Sequence, residues 1–152
     1  MEAAQKTFIS STFWTERIGP TAALKTLEVM EKEKSWEKVT STGKYIKREW
    51  KDLSEKYQLK INISGLDALA SFNFDCKDKL KYKTLITQEM LKKGYLASNT
   101  CYVCLDHSKD IVDNYIENLD DVFRIIASCE SGESIDNLLE GETCHSGFKR
   151  LN

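Results

Sequence analysis

Between Trp36 and Phe74 the period of the apolar residues changes once, and that change limits what the chain can fold into. Trp36, Val39, Gly43, Ile46, Trp50, Leu53 and Tyr57 recur at spacings of three and four. Such spacing places them on one face of a helix. Leu59, Ile61 and Ile63 then alternate with polar residues, and Ala68, Ala70, Phe72 and Phe74 recur at every second position, on one face of a second strand. Alternation of period two is the pattern of a half-buried strand. The stripe predicts a core-facing helix in which Trp36, Ile46, Trp50 and Leu53 are largely buried and Gly43 lets another stretch of backbone come close. The alternation predicts strands over Leu59–Ser64 and Ala68–Asp75, joined by a turn at Gly65–Asp67 and paired antiparallel.

The flanking segments follow the same logic. Gly19-Pro20 opens a helix running to about Lys34, with proline in the first turn where its missing N–H costs little. Ala23, Leu24, Leu27 and Met30 share one side of it. Tyr82–Lys93 reads as a helix with Leu85, Ile86, Met90 and Leu91 inward and Gly94 as its cap. Thr100–Asp106 reads as a third strand of the same sheet. Ser108 caps a last long helix whose Ile111, Tyr115, Ile116, Leu119, Val122, Phe123 and Ile126 keep the helical period. A break at Ser131–Ser134 precedes one further turn at Ile135–Glu140. The fold class is therefore α+β: a small, mainly antiparallel sheet of about three strands with helices packed on it. Residues 19–130 form that domain and 131–152 a tail. Residues 1–18 form a strand and loop without a partner. A lone strand is unstable in water, so this segment is expected to belong to a larger protein.

Composition narrows the partners. The 152 residues suit one domain, and a net charge of −2 with 30% charged residues gives no basic excess for nucleic acid. No run of 18 apolar residues is present, so no membrane partner is expected. The five cysteines are unevenly spaced and follow no secretion signal, which favours reduced thiols in the cytoplasm. Cys101 and Cys104 have metal-ligand spacing. On a strand, however, residues three apart point to opposite faces. Cys144 and His145 lie in the tail, so no metal site is expected. His107, ahead of Ser108, reads as a turn residue.

No glycine-rich phosphate loop, serine nucleophile elbow or histidine–nucleophile set occurs. What remains is Ser10-Ser11-Thr12, consecutive hydroxyls just ahead of a helix. They form either a plain turn or part of a phosphate site. Two other classes stay open: a standalone α+β interaction module, and a metal or redox protein built on Cys101, Cys104, Cys144 and His145.

The segment FISSTFWTERIGPTAALKTLEVM resembles the stretch that joins the large and small domains of class III pyridoxal-phosphate aminotransferases, the glutamate-1-semialdehyde aminomutase-like family. Thr12, with Leu24-Lys25-Thr26-Leu27 behind it, carries the likeness. TQEMLKKGYLASNTCYVCLDHSKDIVDNYIENLDDVF resembles the family's closing pattern: a helix ending in glycine after basic residues, a strand, then a His-Ser step into an Asp-rich helix. LLEG and CHSGFKRLN resemble a branch associated with surface-sugar biosynthesis. The resemblance implies the C-terminal small domain of a fold-type I enzyme, preceded in the same polypeptide by a large pyridoxal-phosphate domain. It implies a cytoplasmic homodimer that moves an amino group between small donors and acceptors. Thr12 would give its hydroxyl to the cofactor phosphate in the other subunit, with Ser11 beside it. Many members carry a Ser-Gly-Asn-Pro-like run where this chain has Trp14-Thr15-Glu16-Arg17. The Schiff-base lysine and the aspartate facing the pyridine nitrogen lie upstream in that family. This chain would then hold no catalytic residue and, alone, no cofactor.

Overall fold

The computed structural model describes residues 16–147 and divides the chain between Ser35 and Trp36 into two compact units. In the first, helix α1 spans Ile18–Glu33 and ends at Lys34, whose backbone is left-handed (φ 47°). Glu16 turns its carboxylate onto the helix start, accepting from the Ile18 and Gly19 amides at 2.9 and 2.5 Å. An anion there satisfies free N–H groups and the helix dipole together. No residue of α1 is buried, and Leu24 and Leu27 are 70% and 61% exposed.

The second unit contains α2 (Ser35–Lys56, which starts one residue before it), β1 (Ile61–Ser64), β2 (Leu69–Phe74), α3 (Lys79–Lys92), β3 (Thr100–Tyr102), α4 (Lys109–Glu130) and a 3-10 turn at Ile135–Asn137. The expected α+β class holds. The sheet order is β1-β2-β3 and both pairings are antiparallel, with Ile61 opposite Phe74 and Ala70 opposite Cys101. Ala70, Phe72 and Phe74 point into the core, as the alternation requires. Phe72 packs on Trp50 of α2 at 4.8 Å and on Phe123 of α4 at 5.9 Å between ring centroids. Tilted contacts of this kind add about 0.5–1.5 kcal/mol each beyond the burial itself.

Gly43 meets its expectation in detail. A Cβ built there would lie 1.7 Å from the Asp67 carbonyl oxygen, so only glycine lets α2 reach the β1–β2 turn. Lys47, one helical turn on, donates to the Gly65 carbonyl and to Asp67 at 2.8 and 2.9 Å. Gly65 itself has φ +80°.

Several expectations need correction. Trp36 is 50% exposed, because the buried stripe of α2 begins only at Gly43. Leu91 and Ile111 are 56% and 49% exposed; Tyr82 and Val112 take buried positions instead. Helix α3 starts three residues early, at Lys79, and β3 stops at Tyr102, not Asp106. Residues 131–147, read as a tail, lie along α3. Ile135 is 6% exposed, Gln88 donates to the Leu138 carbonyl at 2.9 Å and accepts from the Glu140 amide at 2.8 Å, and the Cys144 amide donates to Thr84 at 2.9 Å.

One sheet face is covered by helices. The other carries three cross-strand rows: Asn62 opposite Asn73, Ser64 opposite Ser71 and Thr100, and Leu69 opposite Tyr102. Ser71 and Thr100 share a hydroxyl hydrogen bond at 3.2 Å, and Asn99 donates to Asn73 at 3.0 Å.

Candidate functional site: an uncharged cleft beside the third strand

The segment between α3 and β3 shapes a concavity of the second unit. Gly94 (φ +87°) ends α3: its amide donates to the Leu91 carbonyl and that of Tyr95 to the Met90 carbonyl, at 3.0 and 2.9 Å. This paired closure is the Schellman motif. It throws residues 95–98 off the helix axis. Asn99 then anchors the chain to β2, donating to the Phe72 carbonyl at 2.8 Å and accepting from the Phe72 amide at 2.9 Å. Between these fixed ends lies a cleft of about 510 Å³. Its wall comes from Ile46 of α2, Tyr95 to Ser98, Thr100 to Tyr102, His107, and Ile111, Val112 and Tyr115 of α4.

No carboxylate, lysine or arginine lines it. The Tyr115 hydroxyl accepts from the Trp50 indole at 3.1 Å, and desolvation holds its phenol above the ordinary range. Burial likewise pushes the Cys101 thiol up, helped by the charge of Cys104. A raised thiol is a poor nucleophile at neutral pH. The His107 ring accepts from the Cys104 amide through Nδ1 at 3.3 Å, the turn role expected of it. The cleft is therefore a place to bind or pack against, with no assembled acid–base or nucleophilic pair.

Ser11 and Thr12 lie outside the described residues. Cys101 is on β3, Cys104 is exposed beyond its end, and Cys144 rests against α3. With β3 ending at Tyr102, the two-face argument does not reach Cys104. Among the described residues, no three histidine, cysteine, aspartate or glutamate side chains are grouped to hold a metal ion. The cleft was not legible in the sequence; Gly94 after two lysines was the signal nearest to it.

No family model matches the chain. It is 32% identical over 124 residues to the acetylornithine aminotransferase of Methanocaldococcus jannaschii, a match covering 76% of this chain and 29% of that protein. It is 29% identical over 112 residues to the 3-aminobutyryl-CoA aminotransferase of Cloacimonas acidaminovorans, covering 70% and 27%. The chain is aminotransferase-like. It spans under a third of the length of either relative. The same architecture occurs in the Sphingopyxis FumI protein, solved in its PLP internal aldimine form, with a TM-score of 0.74 and 18% identity over 91% of this chain and 34% of that one. At that identity the likeness shows the α+β fold.

The described residues of this aminotransferase-like chain do not fit a covalent pyridoxal-phosphate site. No described lysine is buried. Lys56, Lys81, Lys92 and Lys109 are held above the ordinary lysine range, chiefly by hydrogen bonds to Asp120, Asp136, Glu140 and Asp113 respectively. A Schiff-base lysine needs the opposite, an ammonium made easier to deprotonate. What the arrangement offers is a well-packed domain with an uncharged side.

Proposed function

We propose that this chain is the C-terminal small domain, with residues 1–18 as a fringe of the large domain, of a PLP-dependent aminotransferase or aminomutase of the class III, glutamate-1-semialdehyde aminomutase-like kind. The whole protein would transfer an amino group between small molecules as a cytoplasmic homodimer, with surface-sugar biosynthesis as its setting. Thr12, beside Ser11, would bind the cofactor phosphate. The observation that carries the reading is the 124-residue match to acetylornithine aminotransferase. The lysines agree with it, since ion-paired surface ammonium groups leave the covalent work to another part of the protein.

The test joins this chain to the part of the Methanocaldococcus enzyme outside the match. The chain alone, given PLP and an amino donor and acceptor, should not turn over or yield a borohydride-trapped lysine. The joined protein should retain PLP, and Thr12→Val should weaken that retention. Turnover by the chain alone, with one modified lysine, would overturn the reading.

A further inference from the structure

A separate cavity of about 340 Å³ lies in the second unit where α2, β2 and α4 all end. Helix α2 stops at Lys56 and α4 at Glu130, and both close in the same way. The Gln58 amide donates to the Glu55 carbonyl and the Leu59 amide to that of Ser54, at 3.2 and 2.9 Å. The Gly132 amide donates to the Cys129 carbonyl and the Glu133 amide to that of Ser128, both at 3.1 Å. Gln58 and Gly132 take the left-handed backbone this closure needs, with φ 57° and +117°. Two helix carboxyl ends, each with a partial negative charge, thus border one space. Asp75 and Glu130 add full negative charges to its wall, Leu59, Phe74 and Ala127 add apolar surface, and Lys60 is its basic residue.

Elsewhere on the unit such carboxylates are neutralised. Asp120, Asp121, Asp136 and Glu140 each hold a lysine ammonium at 2.6 to 2.7 Å. Among the described residues, neither Asp75 nor Glu130 forms an ion pair; Glu130 is held by the Tyr82 hydroxyl, which donates to it at 2.6 Å. The surplus charge acts on its neighbours. Burial is the chief cause that raises the Tyr82 phenol and the Cys76 thiol, and Glu130 raises both further. At Cys76 the charges of Asp78 and Asp75 join it, against one backbone hydrogen bond at Asp78 that lowers. Lys56 shows how an ammonium is accepted at this edge: its Nζ lies 4.9 Å from the Tyr57 ring centroid and 2.6 Å from Asp120.

We propose that this cavity binds a linear aliphatic polyamine. Its ammonium groups pair with Asp75 and Glu130 and with carbonyl groups at the two helix ends, and the methylenes between them cover Leu59, Phe74 and Ala127. The two carboxylates come from different elements, so a ligand with one charge satisfies one of them and leaves the other. Lys60, exposed at the rim, repels the same ligand and sets a sign that the test can read. The site does not depend on the function proposed above.

The probe is spermidine, titrated at low salt into the full 152-residue chain and followed by amide chemical shifts. Saturable binding is expected, with shifts confined to residues 57–60, 74–76 and 127–131. n-Butylamine should bind at least about threefold more weakly. Asp75→Asn and Glu130→Gln remove charge while keeping shape, and the glutamine still offers Tyr82 an acceptor. Each should weaken spermidine by about threefold or more, whereas Lys60→Gln should tighten it. Thermal melts of the variants separate lost binding from lost folding, and the wild-type shift map needs no substitution. Unchanged affinity in both carboxylate variants, or shifts spread over the other acidic surfaces, would overturn the site. n-Butylamine binding as tightly as spermidine would overturn the polyamine as its ligand. No saturable binding by the wild-type chain would overturn the inference outright.

Discussion

Helices α1 and α4 carry the same kind of apolar stripe, and only one of them buries it. Leu24, Leu27 and Met30 of α1 are 70%, 61% and 40% exposed, while Val112, Leu119, Val122, Phe123 and Ile126 of α4 are at most 3% exposed. Period alone therefore names a side of a helix, not its fate. What α4 has is a partner built at the same time: a sheet face of Ala70, Phe72 and Phe74 that cannot face water and a second helix presenting Trp50. The stripe of α2 makes the same point within one element, since Trp36 is half exposed and Ile46 and Trp50 are not.

The comparison is most easily broken at its buried end. Trp50→Ala removes a fully buried indole and the donor to Tyr115, and should cost about 3–5 kcal/mol in denaturant unfolding. A cost below about 1 kcal/mol would mean that the sheet-facing core is not what holds the domain. Gly43→Ala comes next. In an exposed helix this change stabilises by up to about 1 kcal/mol; here the new methyl meets the Asp67 carbonyl, so the sign should reverse to a loss of about 1–3 kcal/mol. Gln88→Ala cuts both hydrogen bonds to residues 138 and 140 and should cost about 1–2 kcal/mol, read as a lower melting temperature.

Two smaller effects sharpen the contrast. Burial, the largest single influence on Glu89, opposes its ionisation, but hydrogen bonds from Lys92 and Gln88 with the charges of Lys92 and Lys93 together outweigh it. Its folded pKa is thus depressed. The stability it contributes is present above the ordinary glutamate pKa and lost as pH falls through the lower folded value. Glu89→Gln should therefore lower stability at neutral pH, leave it little changed in strong acid, and so flatten the acid side of the stability curve. Smallest of all, Leu24→Ala on α1 should change stability by no more than about 0.5 kcal/mol, measured beside Trp50→Ala in the same chain.

Much of the sheet was legible because it rests on local codes. Alternation located β1 and β2, Gly94 marked the end of α3, and Ser108 marked the start of α4, where its hydroxyl accepts from the Ile111 amide at 3.4 Å. In residues 131–147 the break and the turn at Ile135 were legible, but the packing onto α3 was not. Their attachment depends on Ile135, Gln88 and Thr84, single contacts across 50 or more positions that leave no period to read. The cleft was hidden for the same reason, as its wall comes from α2, α4 and the Tyr95–Tyr102 stretch. Ser11 and Thr12 were legible as a phosphate-binding candidate through resemblance, and they lie outside the described residues.

The attachment of residues 135–144 to α3 has a kinetic consequence. The β1–β2 hairpin closes between near neighbours, so its loop entropy is met early. Joining Glu140 to Gln88 and Cys144 to Thr84 closes spans of 52 and 60 residues through a few hydrogen bonds and one buried isoleucine. Such a segment docks late and lifts off first, in a sub-global opening far short of unfolding. The amides of Glu140 and Cys144 should exchange with solvent well ahead of the amide of Phe72, and a protease sampling that opening would nick the chain there while the sheet stays intact.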